Sequence, residues 1–277
     1  MRCTRWPGCD FSVELFPQGF QVTGMNALFR HPVRVPARLL WLIVEFIFAA
    51  INYARWCGFG NASGAKRALW LQRSSRRILR IFKTEIRTAG TIPKSGLLVS
   101  NHLSYVDILV IASVTPAMFV AKREVRGWPV FGFFAKLGGT VFVDRERRTR
   151  VGQTTDEIES ALKEGALVVL FPEGTSSDGQ TVLPFKSSLL EPAAQSNHPL
   201  FIGLIQYRLD DGDVGEEICY WRDMVFFPHL INLASKRAIR ASVRFAPADR
   251  GGMDRKELAR QLRAGILRLR SDFSESR

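Results

Sequence analysis

The chain has 277 residues, 46% hydrophobic and 11% aromatic, with a formal charge of +13. That length and apolar content exclude a disordered chain and fit one substantial domain with an appendage. The charge is uneven: residues 1–97 hold 15 Lys/Arg against 4 Asp/Glu, whereas residues 98–277 hold 24 against 22. A basic leader therefore precedes a nearly neutral body. Four scattered cysteines (Cys3, Cys9, Cys57, Cys219) exclude a disulfide framework, and the absence of a C-x-x-C pair speaks against zinc.

Residues 1–24 have no usable periodicity and lack the basic start and cleavage site of a secretory signal. They are expected to be weakly ordered, and Met25 reads naturally as an alternative start of translation. Leu39 to Ala54 is apolar, LLWLIVEFIFAAINYA. As a helix of that length it reaches ~24 Å, short of a ~30 Å hydrocarbon core. Glu45 in its middle also disfavours contact with lipid on all sides. An embedded or re-entrant helix is expected, with a buried core helix as the alternative. Residues 66–87 follow as one predicted basic amphipathic helix. Lys66, Arg73, Arg76, Arg77, Arg80, Lys83 and Arg87 fall within a ~120° arc. Trp70, Leu71, Ile78, Leu79, Ile81, Phe82 and Ile86 cover the other side. Such a helix suits an interfacial position, its arginines at anionic lipid phosphates and its apolar face in the acyl boundary. Nucleic acid is not expected as a partner, since no recognition motif accompanies the charge. The resulting division is a leader over 1–24, a basic, apolar, membrane-associating helical segment over 25–95, and an α/β domain over 96–277.

Beyond residue 95 apolar runs and helical patterns alternate. Strands are predicted at Leu97–Ser100, Ala117–Ala121, Thr140–Val143, Ala166–Phe171, Leu200–Tyr207, Glu217–Trp221 and Ala241–Phe245. Helices are predicted at Ser104–Val114, Pro129–Leu137, Arg150–Glu164, Lys186–Gln195, Met224–Ala234 and Asp254–Phe273. This order implies an α/β fold with a mostly parallel central sheet flanked by helices, its site at the strands' carboxyl ends.

The sequence has no G-x-S-x-G elbow, H-E-x-x-H, Walker loop or G-x-G-x-x-G. Of its histidines, His31 and His198 precede prolines and His229 follows one. His102 instead closes a predicted strand, five residues before Asp107 at the start of a helix. That spacing can set a carboxylate against an imidazole, fixing its tautomer and stabilising the imidazolium formed on proton abstraction. Ser104 with Asp107 also suits a helix cap. No serine or cysteine nucleophile stands out, so the substrate's own hydroxyl is the expected nucleophile. In ALVVLFPEGTSSDG (166–179), amides after Gly174 and the Thr175 hydroxyl can receive an anion, and a tight turn is the plain alternative.

These blocks resemble the glycerophospholipid acyltransferases, most of all the bacterial 1-acyl-sn-glycerol-3-phosphate (lysophosphatidic acid) acyltransferases. Asn101-His102-x4-Asp107 is similar to the family's first motif, Gly139-Thr140-Val141-Phe142-Val143-Asp144-Arg145 to its second and Phe171-Pro172-Glu173-Gly174-Thr175 to its third. Pro184-Phe185-Lys186 follows where the family carries a similar run, and Pro199–Ile205 is a weaker fourth match. The resemblance covers residues 66–245. It implies that His102 deprotonates a lysolipid hydroxyl, oriented by Asp107, for direct attack on an acyl-CoA or acyl-carrier-protein thioester. Arg145, Glu173, Gly174 and Thr175 would hold the acceptor's glycerol phosphate, and Lys122 would bind phosphate or the developing oxyanion. The acyl chain would lie against apolar side chains such as those of Trp128–Phe134. No metal or bound cofactor is implied, and the expected partners are anionic lipids, the lysolipid and the thioester donor. The expected location is the cytoplasmic face of a bacterial inner membrane. One position departs from the pattern: Ser176 stands where many members carry an arginine after Glu-Gly-Thr. Serine cannot serve as a bidentate phosphate ligand. Lyso-ornithine lipid, an acceptor without phosphate, is therefore the alternative to lysophosphatidic acid.

Overall fold

A computed structural model of the chain describes residues 31–58, 62–128, 130–143 and 151–274. The first 24 residues, Met25 and Arg145 lie outside the described residues. Seven strands form one sheet: β1 (Thr84–Gly90), β2 (Gly96–Ser100), β3 (Met118–Lys122), β4 (Val141–Val143), β5 (Leu167–Leu170), β6 (Leu200–Arg208) and β7 (Ile239–Ala248). Their order is β1-β7-β6-β2-β5-β3-β4. The five strands from β6 to β4 run parallel. β7 is antiparallel to β6, and β1 is parallel to β7. The expected mostly parallel sheet is thus present, with a reversed pair at one edge.

Alternation along the strands splits the core into two layers. Leu98, Val169, Ile205 and Tyr207 face one cluster, with side chains of helices α1 (Arg34–Cys57), α2 (Gly64–Ile81), α3 (Val106–Val114) and α8 (Phe226–Ser235). Leu97, Val99, Val168, Leu170 and Leu204 face the other. That second layer holds α5 (Val151–Lys163), α6 (Glu191–Gln195) and α9 (Arg255–Ser274). Central parallel strands covered on both faces read as continuous apolar runs, which is why LLV and LVVL were legible as strands. Two short helices complete the order, α4 (Phe131–Leu137) and α7 (Val214–Glu217).

Three expectations are corrected. The helix predicted over 66–87 ends at Ile81, Lys83 takes a left-handed φ of 51°, and the chain turns into β1. Lys83 and Arg87 are therefore not on the basic arc, and residue 95 falls between two strands of one sheet. The strand predicted at Glu217–Trp221 is absent. Asp213 accepts a hydrogen bond from Glu216 N and caps a helical turn there instead. The helix predicted at Lys186–Gln195 divides into a 3-10 turn, Ser187–Leu190, and α6.

The two N-terminal helices differ in orientation. In α2 the apolar side, including Trp70, Ile78, Leu79 and Ile81, is buried in the protein, while Lys66, Arg73, Arg76 and Arg80 are exposed. The expectation that this apolar side enters lipid is overturned: the protein core takes it. Helix α1 is inverted. Its inward stripe is Val35, Arg38, Leu42, Glu45 and Ala49, and its outward face carries Leu40, Trp41, Ile43, Val44, Ile47, Phe48 and Ile51. Glu45 Oε1 meets Arg77 Nε of α2 at 2.5 Å, and the Trp70 indole donates to the Ala49 carbonyl at 3.0 Å. Arg38 donates to the carbonyls of Ala234, Lys236 and Arg237, satisfying acceptors left open at the end of α8. Among the described residues α1 is the one helix long and apolar enough to cross a membrane. At 24 residues it extends the predicted 39–54 segment at both ends.

Candidate active site

The site lies at the carboxyl end of β2, where the chain leaves the sheet at Asn101 and enters α3 at Val106. Asn101 is buried and bridges to β6, donating from Nδ2 to Ile205 O at 3.0 Å and accepting from Ile205 N at 2.8 Å. This double bond fixes the direction in which the next residue leaves the strand. His102 Nδ1 then lies 2.8 Å from Asp107 Oδ2. The same oxygen accepts the amides of Leu103 at 2.6 Å and Ser104 at 3.0 Å. The other, Oδ1, accepts the Tyr207 hydroxyl at 2.7 Å. Asp107 is fully buried and accepts four hydrogen bonds, so its carboxylate has a single orientation.

This arrangement fixes the tautomer of His102. An imidazole nitrogen facing a carboxylate carries the hydrogen, which leaves the lone pair on Nε2, able to accept a proton. The ring stacks on Phe171 with centroids 4.3 Å apart, and its side chain keeps 22% exposure. It is held from behind and open in front.

The backbone of the turn is hydrogen-bonded to neighbouring loops. Glu173 is buried and its two oxygens accept the amides of His102 at 2.8 Å and Leu183 at 3.0 Å. Burial pushes its carboxyl up to about 7, against the opposing pull of those two amides. Gly174 turns the chain away with φ 72°, a conformation glycine adopts without steric cost. Ser177 N donates to His102 O at 3.0 Å, and Tyr220 N to Leu103 O at 2.8 Å. The Ser176 hydroxyl donates to Tyr220 O. The position where an arginine would offer a cation instead ties two loops together.

The sequence-predicted residues are thus partly assembled. His102, Asp107 and Glu173 converge, but Glu173 spends both oxygens on backbone amides, so its visible task is to place His102. Gly174 and Thr175 follow directly, Gly174 buried and Thr175 exposed. Lys122 is exposed at the carboxyl end of β3. Ser104 is fully buried and its hydroxyl faces no partner. His229 is buried, bonded at Nδ1 to the Tyr105 hydroxyl and at Nε2 to Cys219 O, and burial lowers it to about 4. It is a neutral structural residue. Of Trp128–Phe134, Trp128, Val130 and Phe133 point outward while Phe131 and Phe134 enter ring contacts. From the sequence, Tyr207 is not singled out, and Phe171 stands in the third motif without a role. Tyr207 lies 100 positions from Asp107 and carried no local signal beyond a tyrosine ending an apolar strand.

Two cavities flank the turn and His102 lines neither. One, of about 50 Å³ behind Phe171, is lined by Val120, Val143, Ile158 and Leu170 among others. The other, of about 290 Å³, is polar and lies beside Asn101 and Tyr207. The His102 ring is met from solvent through its partly exposed side chain.

The sequence profile of the Acyltransferase family matches residues 83–202, which contain this turn. A lyso-ornithine lipid O-acyltransferase of Rhizobium meliloti is 34% identical over 221 residues, 73% of this chain and 75% of its own length. A 1-acyl-sn-glycerol-3-phosphate acyltransferase of Neisseria gonorrhoeae is 32% identical over 145 residues, 49% of this chain and 57% of its own. The crystal structure of the 1-acyl-sn-glycerophosphate acyltransferase PlsC of Thermotoga maritima superposes with a TM-score of 0.63. It is 20% identical, and the match covers 88% of this chain and 98% of that one. Sequence, fold and the His102–Asp107 turn agree: the chain belongs to the acyltransferases of the lysophospholipid acyltransferase superfamily.

Proposed function

We propose that the protein transfers a fatty acyl group from a thioester donor to the hydroxyl of a lysolipid at a membrane surface, with lyso-ornithine lipid as the acceptor. The observation that carries the chemistry is His102, whose Nδ1 is committed to Asp107 at 2.8 Å while its side chain stays partly exposed. In the proposed step Nε2 takes the acceptor's hydroxyl proton as its oxygen attacks the thioester carbonyl carbon. The carbon–sulfur bond then breaks and the imidazolium returns the proton to the leaving thiolate, giving an ester and a free thiol. Asp107 supports the transient imidazolium throughout. No acyl-enzyme is needed, because Ser104 is buried.

The acceptor reading rests on two supports. The Rhizobium meliloti relative is named for lyso-ornithine lipid and aligns over most of both chains. Ser176 spends its hydroxyl on Tyr220 O and supplies no cation for a phosphate. Lysophosphatidic acid is the second reading, favoured by the Neisseria gonorrhoeae relative and by Lys122, exposed at the end of β3. The membrane reading is supported by α1. Its inward stripe, Val35 to Ala49, is held by the protein while the opposite face is apolar and exposed, which suits a helix lying along a membrane surface.

The test is purified protein in detergent with a labelled acyl thioester, offered lyso-ornithine lipid, lysophosphatidic acid and lysophosphatidylcholine in parallel. Lyso-ornithine lipid is expected to have the highest kcat/KM. A higher value for lysophosphatidic acid would replace the acceptor. His102→Ala should lower kcat by about 10³-fold or more while the protein stays folded. Substantial turnover by that folded variant would end the mechanism.

A further inference from the structure

The exposed large apolar side chains fall into two main groups. One is the outer face of α1. The other comes from two segments distant in sequence: Trp128, Val130 and Phe133, at the start of α4, and Val225 and Phe227, at the start of α8. Phe227 is 68% exposed and Phe133 55%. Val130 adopts φ 63°, a left-handed conformation costly for a β-branched residue, and holds its side chain in solvent.

A seam of rings joins the two groups. Phe46 of α1 contacts Phe134 at 4.8 Å and Phe131 at 6.0 Å. Phe131 contacts Phe226 at 4.6 Å, and Phe226 contacts Phe227 at 5.5 Å. The seam also reaches the catalytic turn, because Tyr105 packs on Phe226 at 5.2 Å and on Phe131 at 6.0 Å. Exposed charges border the second group: Arg123, Arg126, Lys136 and Arg222, against Glu124 and Asp223. The Arg222 guanidinium lies over the Trp221 ring at 3.8 Å.

We infer that Trp128, Val130, Phe133, Val225 and Phe227 form a second lipid-inserting lip, continuous with α1 and set beside the mouth of the His102 site. The occupant is the surface of a lipid leaflet containing anionic headgroups. Apolar tips ringed by an excess of cations match such a surface, the rings entering the acyl boundary and the arginines meeting phosphates. The inference rests on the proposed acyl transfer for its purpose only: a lysolipid held in the leaflet would offer its hydroxyl to Nε2 without leaving the membrane.

The experiment compares the full chain with Val225→Ser/Phe227→Ser, two exposed residues of the lip that lie outside the Trp128–Phe134 run. One arm measures sedimentation with vesicles of phosphatidylethanolamine and phosphatidylglycerol. The other measures kinetics with the acceptor either in those vesicles or dispersed in detergent. The double variant should bind vesicles about tenfold more weakly or worse, since each substitution removes apolar area from contact with lipid. Its KM for vesicle-borne acceptor should rise, while kcat on detergent-dispersed acceptor stays within about twofold. Unchanged vesicle binding would overturn the lip. So would an equal loss in both acceptor formats, or a KM increase confined to a protein-borne acyl donor. If the unmodified protein acylated no lysolipid, the proposed function would fail, and vesicle binding would still decide the lip.

Discussion

The turn after β2 and the outer face of α1 treat their surroundings in opposite ways. At the turn, the amides and carbonyls of His102, Leu103 and Ser104 and both oxygens of Asp107 and Glu173 find partners within the protein. Along α1 the polar groups are turned inward, Arg38 onto α8 and Glu45 onto Arg77, and the apolar ones are left facing out. The first region is complete without a partner and exposes one reactive atom. The second is incomplete in water. Burying Glu45 would cost several kcal/mol without its cation, so the helix has one docked orientation, and that orientation exposes its apolar face.

The largest expected effect comes from disturbing the complete region. Asp107→Asn should lower kcat by about 10³-fold or more, because a neutral amide no longer stabilises the imidazolium formed on proton transfer. Vesicle binding should be unaffected. Tyr207→Phe removes one of four donors to the same carboxylate and should cost about tenfold in kcat, from a lost hydrogen bond of about 1 kcal/mol or slightly more. Full activity in Tyr207→Phe would make that hydroxyl a packing feature.

Glu173 gives a pH-dependent version of the same contrast. Its carboxyl ordinarily titrates near 4.5 and is raised by burial to about 7. The folded protein therefore holds this proton more tightly than the unfolded chain does. Its contribution to stability is complete below about 4.5 and is lost as pH rises through about 7. His229 acts in the other direction: lowered from 6.5 to about 4, it costs stability as pH falls through that window. Thermal midpoints in detergent across pH 4–8 should show the decline toward neutral pH flattened in Glu173→Gln. That variant should also be about 1–3 kcal/mol less stable, because its amide nitrogen cannot accept from a backbone amide.

The smallest effect on chemistry is expected from the basic face of α2. Arg77 is paired with Glu45 and Arg76 donates to Ser113 O at 2.7 Å, so reversing either would disturb the fold. Arg73, which lies over the Trp56 ring at 4.2 Å, and the exposed Arg80 are the better probes. Arg73→Glu/Arg80→Glu should weaken binding to anionic vesicles several-fold, more so at low salt, and leave turnover in detergent unchanged. Parallel loss of both would place this face in the active site.

Much of the body was legible because local pattern and final environment agree. Six of the seven strands of the sheet coincide with apolar runs read from the sequence, bounded by turns. The missed strand, β1, has a weak pattern because it is an edge strand, mostly exposed from Arg87 onward. Edge strands need no continuous apolar run. Its basic neighbours also extended the helical periodicity past Ile81. Conversely, the run around Ile218 and Cys219 looked like a strand because both are fully buried, although they are buried as a loop beside the turn.

The sequence alone determined that His102 and Asp107 lie within reach of one another, and the anchoring of Asn101 and Asp107 to β6 completed their pairing. Five residues across a strand, a turn and a helix start leave little freedom, so the spacing itself keeps carboxylate and imidazole close. Tertiary structure alone decided what that pair leans on and what the helices face. Tyr207, Glu173 and Phe171 arrive from other strands, and no local rule connects them to residue 102. For α1, hydrophobicity gave the axis of the helix but not its direction. An apolar face can meet a protein core or a lipid, and the choice was made by two buried charges, Arg38 and Glu45, whose partners lie elsewhere in the fold.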